Sequence, residues 1–245
     1  MKERLQRALK RAGLRLERWR PANRFSGLDD TLMMLRDRGY DPRVVIDAGA
    51  NMGQWTAAAS KVFTSARFEM IEPQPACHPV LRAVAADRPN TRLHPVAVSK
   101  PGCAAVAMTG VAEHGNTGAW VVEHDDPRRE ESFPAVTFDD LFGDVSRDDR
   151  ALLKLDIEGH ELAALSGAQR LLTSVEVIVT EVQFFEIGDN GLQCVGDVVS
   201  FLNDKGFSLY DVATLNGRER DMRLVLGDLV FARKDSALCL DTRWP

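Results

Sequence analysis

Cysteine is too sparse and too scattered in this chain to organise it. Cys77, Cys103, Cys194 and Cys239 form no C-x-x-C pair, which argues against a disulfide framework or a thiolate zinc site and favours a reducing compartment. No apolar run approaches the roughly 18 residues that a bilayer-spanning helix needs. The N-terminus is basic but lacks an apolar core and a small-residue cleavage site, so it does not read as a secretory signal. The expected location is the cytoplasm. Tyrosine is rarer still: neither Tyr40 nor Tyr210 has a lysine four residues on, so the Tyr-Lys pair common in nicotinamide-dependent reductases is missing. A basic surface is missing too. The net charge is −5, and residues 1–20 hold eight Lys or Arg against two Glu (+6), which leaves −11 on the other 225 residues. Such a body is a poor partner for nucleic acid, whose binding draws on clustered positive charge.

What the chain does have is one domain's worth of core: 245 residues, 44% hydrophobic, enough for a single catalytic domain and too little for two. That domain is expected over residues 27–245, after an N-terminal segment of residues 1–26. In "MKERLQRALKRAGLRLERWR" the residues Leu5, Leu9, Ala12, Leu16 and Trp19 recur at helical spacing with basic residues on the other faces. A terminal helix packed on its own domain or on a second copy in a homodimer is one expectation. A basic amphipathic helix lying peripherally on an anionic membrane, at the inner face, is the other.

From residue 28 onward strands and helices alternate. "LDDTLMMLRDRG" reads as a helix, 44–47 as an apolar strand, 54–63 as a helix, 66–73 as a second strand and 75–89 as a second helix. "TRLHPVAVS" (91–99) reads as one third strand. Strand-like pieces "AAVAM", "GAWVVEH" and "PAVTF" follow, then a short helix at 138–145, a strand at 151–156 and a helix over 161–172. A strand at 175–182, a helix at "VGDVVSFLNDKG" and a closing hairpin of "FSLYDVATL" with "GDLVFAR" complete the chain. Continuous apolar strands alternating with helices predict an α/β, Rossmann-like, doubly wound sheet covered on both faces, with the hairpin at its edge.

In such sheets ligands lie beyond the carboxyl ends of the strands. There the first strand runs into "RVVIDAGANMGQWT" (43–56): Asp47 ends it, and Gly49 and Gly53 frame the turn into a helix. The dinucleotide fingerprint G-x-G-x-x-G uses its middle glycine to let a pyrophosphate approach the backbone. Here that place is Asn51. A ligand without phosphates fits better, and S-adenosylmethionine, net positive with its sulfonium and ammonium groups, suits an acid at the strand end. Glu72, nineteen residues beyond Gly53 and at the end of the second strand, is placed to accept both ribose hydroxyls. The third piece is "LLKLDIEGHELAALSGAQRLL" (152–172), where Asp156, Glu158, His160 and Glu161 crowd one strand end, more ionisable groups than a turn requires.

Taken in order, "VVIDAGANMGQWT", "FEMIEPQP", "HPVAVS", "VTFDDLF", "LLKLDIEGHELAALSGAQRLL", "VIVTEV" and "DLVFAR" resemble the FkbM-type family of S-adenosylmethionine-dependent methyltransferases over roughly residues 30–235. The resemblance implies the class I methyltransferase fold, a seven-stranded sheet with an antiparallel last strand. It also implies O-methylation of a hydroxyl on a sugar, a glycolipid or a secondary metabolite, with acceptor choice set by the less similar segment 100–150.

A sugar hydroxyl is a weak acid, so a methyl transfer to it needs a base or a divalent cation. Asp156 is the first choice for base or metal ligand, with His160 and Glu158 beside it. Glu181, ending the neighbouring strand, would join Asp156 in holding Mg2+ through oxygen ligands. Donor contacts are expected from Asp47, Gly49, Asn51, Gly53, Glu72 and Ala97. Acceptor contacts, to a small-molecule or lipid-linked glycan, are expected from Asn116, Thr117, Glu181 and Phe184, with Trp120 a candidate stacking face. A non-catalytic scaffold of the same fold and a nicotinamide-dependent reductase are the competing readings.

Overall fold

The computed structural model describes residues 27–111, 118–122, 126–186 and 194–243. The expected N-terminal helix of residues 1–20 and the loop residues Asn116 and Thr117 lie outside that set. Helix α1 (Leu28–Asp37) leads into strand β1 (Val44–Ala48), helix α2 (Gln54–Val62) and strand β2 (Arg67–Ile71). Helix α3 (His78–Ala86) and strand β3 (Thr91–His94) follow. After a second, smaller sheet and helix α4 (Phe138–Phe142) come β8 (Ala151–Leu155), α5 (Glu161–Ser166), β9 (Val175–Gln183), α6 (Val195–Asp204), β10 (Phe207–Val212), β11 (Asn216–Gly217) and β12 (Leu224–Arg233).

The main sheet runs in the order β10-β12-β9-β8-β1-β2-β3, with β11 paired to β12. From β9 to β3 neighbouring strands are parallel, while β12 is antiparallel to both β9 and β10. The expected seven-stranded doubly wound sheet is therefore present. The closing hairpin sits at the edge, with β12 tucked inside it against β9. Every residue of β1 and β8 is buried, as helices on both faces require. The alternation within them decides which core each residue joins. Val44, Ile46, Ala48, Leu153 and Leu155 pack with Phe138, Leu165 and Leu202 on one face. Val45 and Leu152 pack with Leu32, Leu35, Ala59 and Phe63 on the other.

Two sequence expectations need correction. The segment 91–99 is not one strand. Pro95, lacking an N–H, ends the ladder after β3, and Ala97–Val98 (β4) joins a second sheet, ordered β4-β7-β5-β6. Its other members are β5 (Ala105–Thr109), β6 (Trp120–Val122) and β7 (Glu131–Val136). Ala97, Val106, Met108, Ala119, Phe133 and Ala135 form its own small core. The helix expected over 161–172 also breaks, after Ser166. At Gly167 a Cβ would stand 2.5 Å from the Ser99 carbonyl oxygen, so the chain tightens there before a 3-10 turn at Leu171–Thr173.

The loops after β1 and β8 meet at one tight point. Gly49 has φ +80°, and a Cβ on it would lie 1.8 Å from the Asp156 carbonyl oxygen. The Asp156 N–H in turn donates to the Ala48 carbonyl at 3.1 Å. Gly53 also has positive φ, +77°, but a Cβ there would meet only the flexible ends of Leu81 and Val84, at 3.1 and 3.3 Å. Gly49→Ala is expected to cost about 2 kcal/mol or more, the sum of a strained backbone and a clash with backbone. Gly53→Ala is expected to cost only about 1 kcal/mol. Urea denaturation of both variants checks the order, and equal losses would contradict it.

Candidate active site

At the carboxyl ends of β1, β2 and β8 lies a cleft open to solvent. Its floor comes from the loops that follow those strands: Gly49 and Asn51 after β1, Glu72 and Gln74 after β2, Asp156 and Glu158 after β8. Its far wall is apolar and comes from the second sheet through Ala97, Val98, Met108 and Val121. That wall is a contribution the sequence did not reveal. Trp120 faces away from the cleft, as alternation along β6 dictates, and packs over Gly110 instead.

Glu72 is 3% exposed, and both its oxygens are held. Oε2 accepts the Asn51 N–H and Oε1 the Gln74 N–H, each at 2.9 Å. The neighbouring His78 ring donates to the Glu72 carbonyl at 2.9 Å. Burial pushes the Glu72 carboxyl up, while the two N–H donors oppose that shift. Asn51 itself adopts φ +46°, a left-handed conformation that asparagine tolerates better than most residues. The N–H at the middle position of the turn is thereby committed to a carboxylate, leaving an anionic wall where a dinucleotide loop would offer donors to phosphate.

Asp47 departs from expectation. It does not line the cleft: it is fully buried on the α2 side of the sheet, side by side with Lys154 in the β1–β8 register. Its Oδ2 accepts the Thr56 hydroxyl at 2.6 Å, and its Oδ1 faces the Lys154 ammonium at 3.7 Å. Parity along β1 turns this carboxylate under the loop rather than into it. Lys154, which the sequence reading passed over, also donates to Asp156 Oδ2 at 2.9 Å. Burial would neutralise Lys154, but the facing Asp47 and Asp156 carboxylates keep its pKa above the usual lysine value. A lysine inside an apolar strand is the signal that a buried acid must stand nearby. Gly53, like Asp47, shapes the turn without lining the cleft.

The turn after β8 is strained and clamped. Glu158 and Gly159 have φ +54° and +88°. Glu161, nearly buried, holds them by accepting the N–H groups of Ile157 and Gly159 at 3.1 and 3.3 Å. Glu158 lines the cleft, and burial, then Asp156 and Glu161, push its carboxyl up to about 7. His160 also lines the cleft, with Nε2 bonded to the buried Ser99 hydroxyl at 2.9 Å. Burial and the nearby Lys100 lower its pKa to about 4. The imidazole is thus neutral and a feeble base.

Glu181 lies outside the main cleft and lines a smaller pocket beside it. Its carboxyl is pushed up to about 8 by burial, then by Asp156 and Glu158. Phe184 packs against the core. Of the expected magnesium ligands, Asp156 has its Oδ2 engaged by the Lys154 ammonium at 2.9 Å. Among the described residues, no group of three or more His, Cys, Asp or Glu side chains could hold a metal ion. Nor, among them, is any helix long and apolar enough to cross a membrane.

The family model described as "Methyltransferase FkbM domain" matches residues 47–209, which spans every element of the cleft floor. No curated protein sequence matches. Among solved structures, a methyltransferase FkbM from Methylobacillus flagellatus KT is 19% identical, with a TM-score of 0.48 over 77% of this chain and 44% of that one. A precorrin-6y C5,15-methyltransferase from Geobacter metallireducens GS-15 is 16% identical, with a TM-score of 0.43 over 84% of this chain and 85% of that one. A fibrillarin from Aeropyrum pernix, solved with natively bound S-adenosyl-L-methionine, is 12% identical, with a TM-score of 0.42 over 81% and 73%. This chain spans less than half the length of the first of these structures. On the extent of the family match, the chain belongs to the FkbM methyltransferase family.

Proposed function

We propose that this protein is an S-adenosylmethionine-dependent O-methyltransferase whose acceptor hydroxyl belongs to a sugar, a glycolipid or a glycosylated secondary metabolite. The observation that carries the donor assignment is Glu72. A buried carboxylate pinned by the Asn51 and Gln74 N–H groups keeps lone pairs for a pair of vicinal hydroxyls, and repels phosphate at the same place. Gly49 and Asn51 would hold the rest of the donor, and the apolar wall of Ala97, Val98 and Met108 would cover its base. The donor, when bound, supplies an already activated methyl group.

What remains for the chain is to place the acceptor oxygen and take its proton. Glu158 suits the second task best. It lines the cleft, and a pKa near 7 lets it be ionised at working pH while still binding a proton well. Asp156, fixed by Lys154, is a positioning anion next to it, and its charge helps to raise the Glu158 pKa. The acceptor's proton passes to the Glu158 carboxylate and leaves to solvent when the product departs. His160, neutral and bonded to Ser99, presents a polar but uncharged edge to the cleft. A glycosyl acceptor agrees with this acid-lined, half-apolar cleft and with the activities the family resemblance implies.

Transfer of labelled methyl from S-adenosylmethionine to a panel of glycosides tests the reading. Because the base must be ionised, kcat/KM is expected to rise with pH through about 7 and to level off above it. Glu158→Gln is expected to remove that rise and lower kcat/KM by about 10²- to 10⁴-fold, with S-adenosylhomocysteine affinity unchanged. An unaltered pH profile in that variant would move the base elsewhere. A protein that binds the donor product yet methylates no glycoside would contradict the acceptor class.

A further inference from the structure

Ser99 directly follows Ala97 and Val98, the β4 residues that wall the cleft, and it is fully buried. Its backbone is fixed on both sides. The N–H donates to the Val136 carbonyl at 2.9 Å, and Gly167 leaves no room for a Cβ against the Ser99 carbonyl. The hydroxyl has one partner among the described residues, Nε2 of His160 at 2.9 Å. A buried hydroxyl proton without an acceptor would cost about 1–3 kcal/mol, so that proton goes to Nε2, which must offer a lone pair. A neutral imidazole that accepts at one nitrogen carries its own proton on the other. His160 is neutral at working pH. Ser99 therefore fixes the tautomer with the proton on Nδ1.

Two observations turn that N–H toward the cleft. His160 is the N-cap residue of α5, where a side-chain acceptor would take a helix N–H, yet its side chain makes no capping bond. Nδ1 has no other hydrogen-bond partner among the described residues, and it is not one of their sealed, unpartnered polar atoms, which include Nε1 of Trp55 and of Trp120. It is therefore reached from outside, and the opening that His160 lines is the cleft. The carboxylates there, Asp156 and Glu158, are acceptors, while Asn51 and Gln74 serve Glu72 at the ribose end. A fixed, uncharged N–H beside the Ala97–Val98 wall suits a lone pair lying in the plane of a flat, apolar-faced group. The part of the donor that answers this description is its base, since adenine carries such lone pairs on three ring nitrogens.

We infer that His160 reads the base of the methyl donor: its Nδ1–H donates to a ring nitrogen of adenine, and Ser99 is the positioning residue that sets the tautomer and aims the ring. The base contact deepens the donor-site reading and rests on it; the tautomer does not. An imidazole whose cleft-facing nitrogen already holds its proton cannot take one from an acceptor hydroxyl. The Ser99–His160 pair thus serves recognition, and proton removal is left to Glu158.

The test is calorimetric titration of the full chain at neutral pH with S-adenosylhomocysteine and with its 1-deaza, 3-deaza and 7-deaza analogues, each of which replaces one ring nitrogen by C–H. One analogue is expected to bind about tenfold more weakly than the parent, the loss of a hydrogen bond that strands its donor. In His160→Phe that penalty is expected to vanish, and in Ser99→Ala to shrink. Proton–nitrogen correlation NMR of the free protein, with its histidines assigned along the chain, is expected to show His160 protonated on Nδ1 and bare on Nε2. That spectrum needs no variant, so it decides the tautomer even if a substituted chain fails to fold. The inference is overturned if no analogue's penalty responds to His160→Phe, if the proton sits on Nε2, or if His160→Phe weakens glycoside binding and leaves the donor series untouched. Failure of the parent to bind at all would remove the donor reading and the base contact with it, while the Nδ1 proton would still be seen.

Discussion

The ligand side of this molecule depends on how closely β1 and β8 approach where their loops begin. There is no room for a Cβ between Gly49 and the Asp156 carbonyl, so the two loops touch backbone to backbone. That contact sets Asn51 and the Asp156–Glu158 turn on either side of one cleft. Just beneath it, the same pair of strands places Asp47 beside Lys154 in register. The ion pair is buried, and such pairs are seldom strongly stabilising in themselves. Its consequence is geometric: Lys154 cannot leave Asp47, and Asp156 is held to Lys154, so the carboxylate at the mouth of the site is tied to the interior of the sheet.

The electrostatics of the site follow from an excess of acid in a small desolvated space. Glu158, Glu161 and Glu181 are all pushed up, with burial the largest cause in each case. Glu161 recovers part of that cost by accepting backbone N–H groups, which makes it a clamp for the turn. Glu158 and Glu181 have no such compensation in the interactions that shift them, and they stand at the two adjoining pockets. A fold that needed only stability would place neutral groups there. Groups held away from their usual protonation behaviour are instead a recurring mark of working sites.

The sequence made much of this visible, and its failures have physical causes. The sheet could be read because β1, β8 and β9 are largely covered on both faces and so appear as predominantly apolar runs. Gly49, Asn51, Glu72, Asp156, Glu158 and His160 could be placed because each follows a strand end, where ligands gather in this fold class. Asp47 was read facing the ligand, but a strand buried on both faces hides which face a polar residue takes. Only its neighbour in the sheet, Lys154, decides that. The weak basicity of His160 was not legible because burial, which depresses an imidazole, is a tertiary property. The second sheet's apolar wall was hidden by short strands of mixed pattern, and Pro95 disguised the departure of the chain from β3 into it. The smaller pocket beside the cleft joins residues from the β8 turn, β9 and α6, and no local spacing announces such a meeting.

The central claim is that a buried Glu72, with the loop N–H of Asn51 committed to it, makes a site for a phosphate-free adenosine ligand. Calorimetric titration of the protein with S-adenosylhomocysteine and, separately, with NADH tests it most directly. The account predicts binding of S-adenosylhomocysteine, no binding of NADH, and loss of the former in Glu72→Ala. Binding of NADH, or S-adenosylhomocysteine binding that survives the loss of the Glu72 carboxylate, would contradict it.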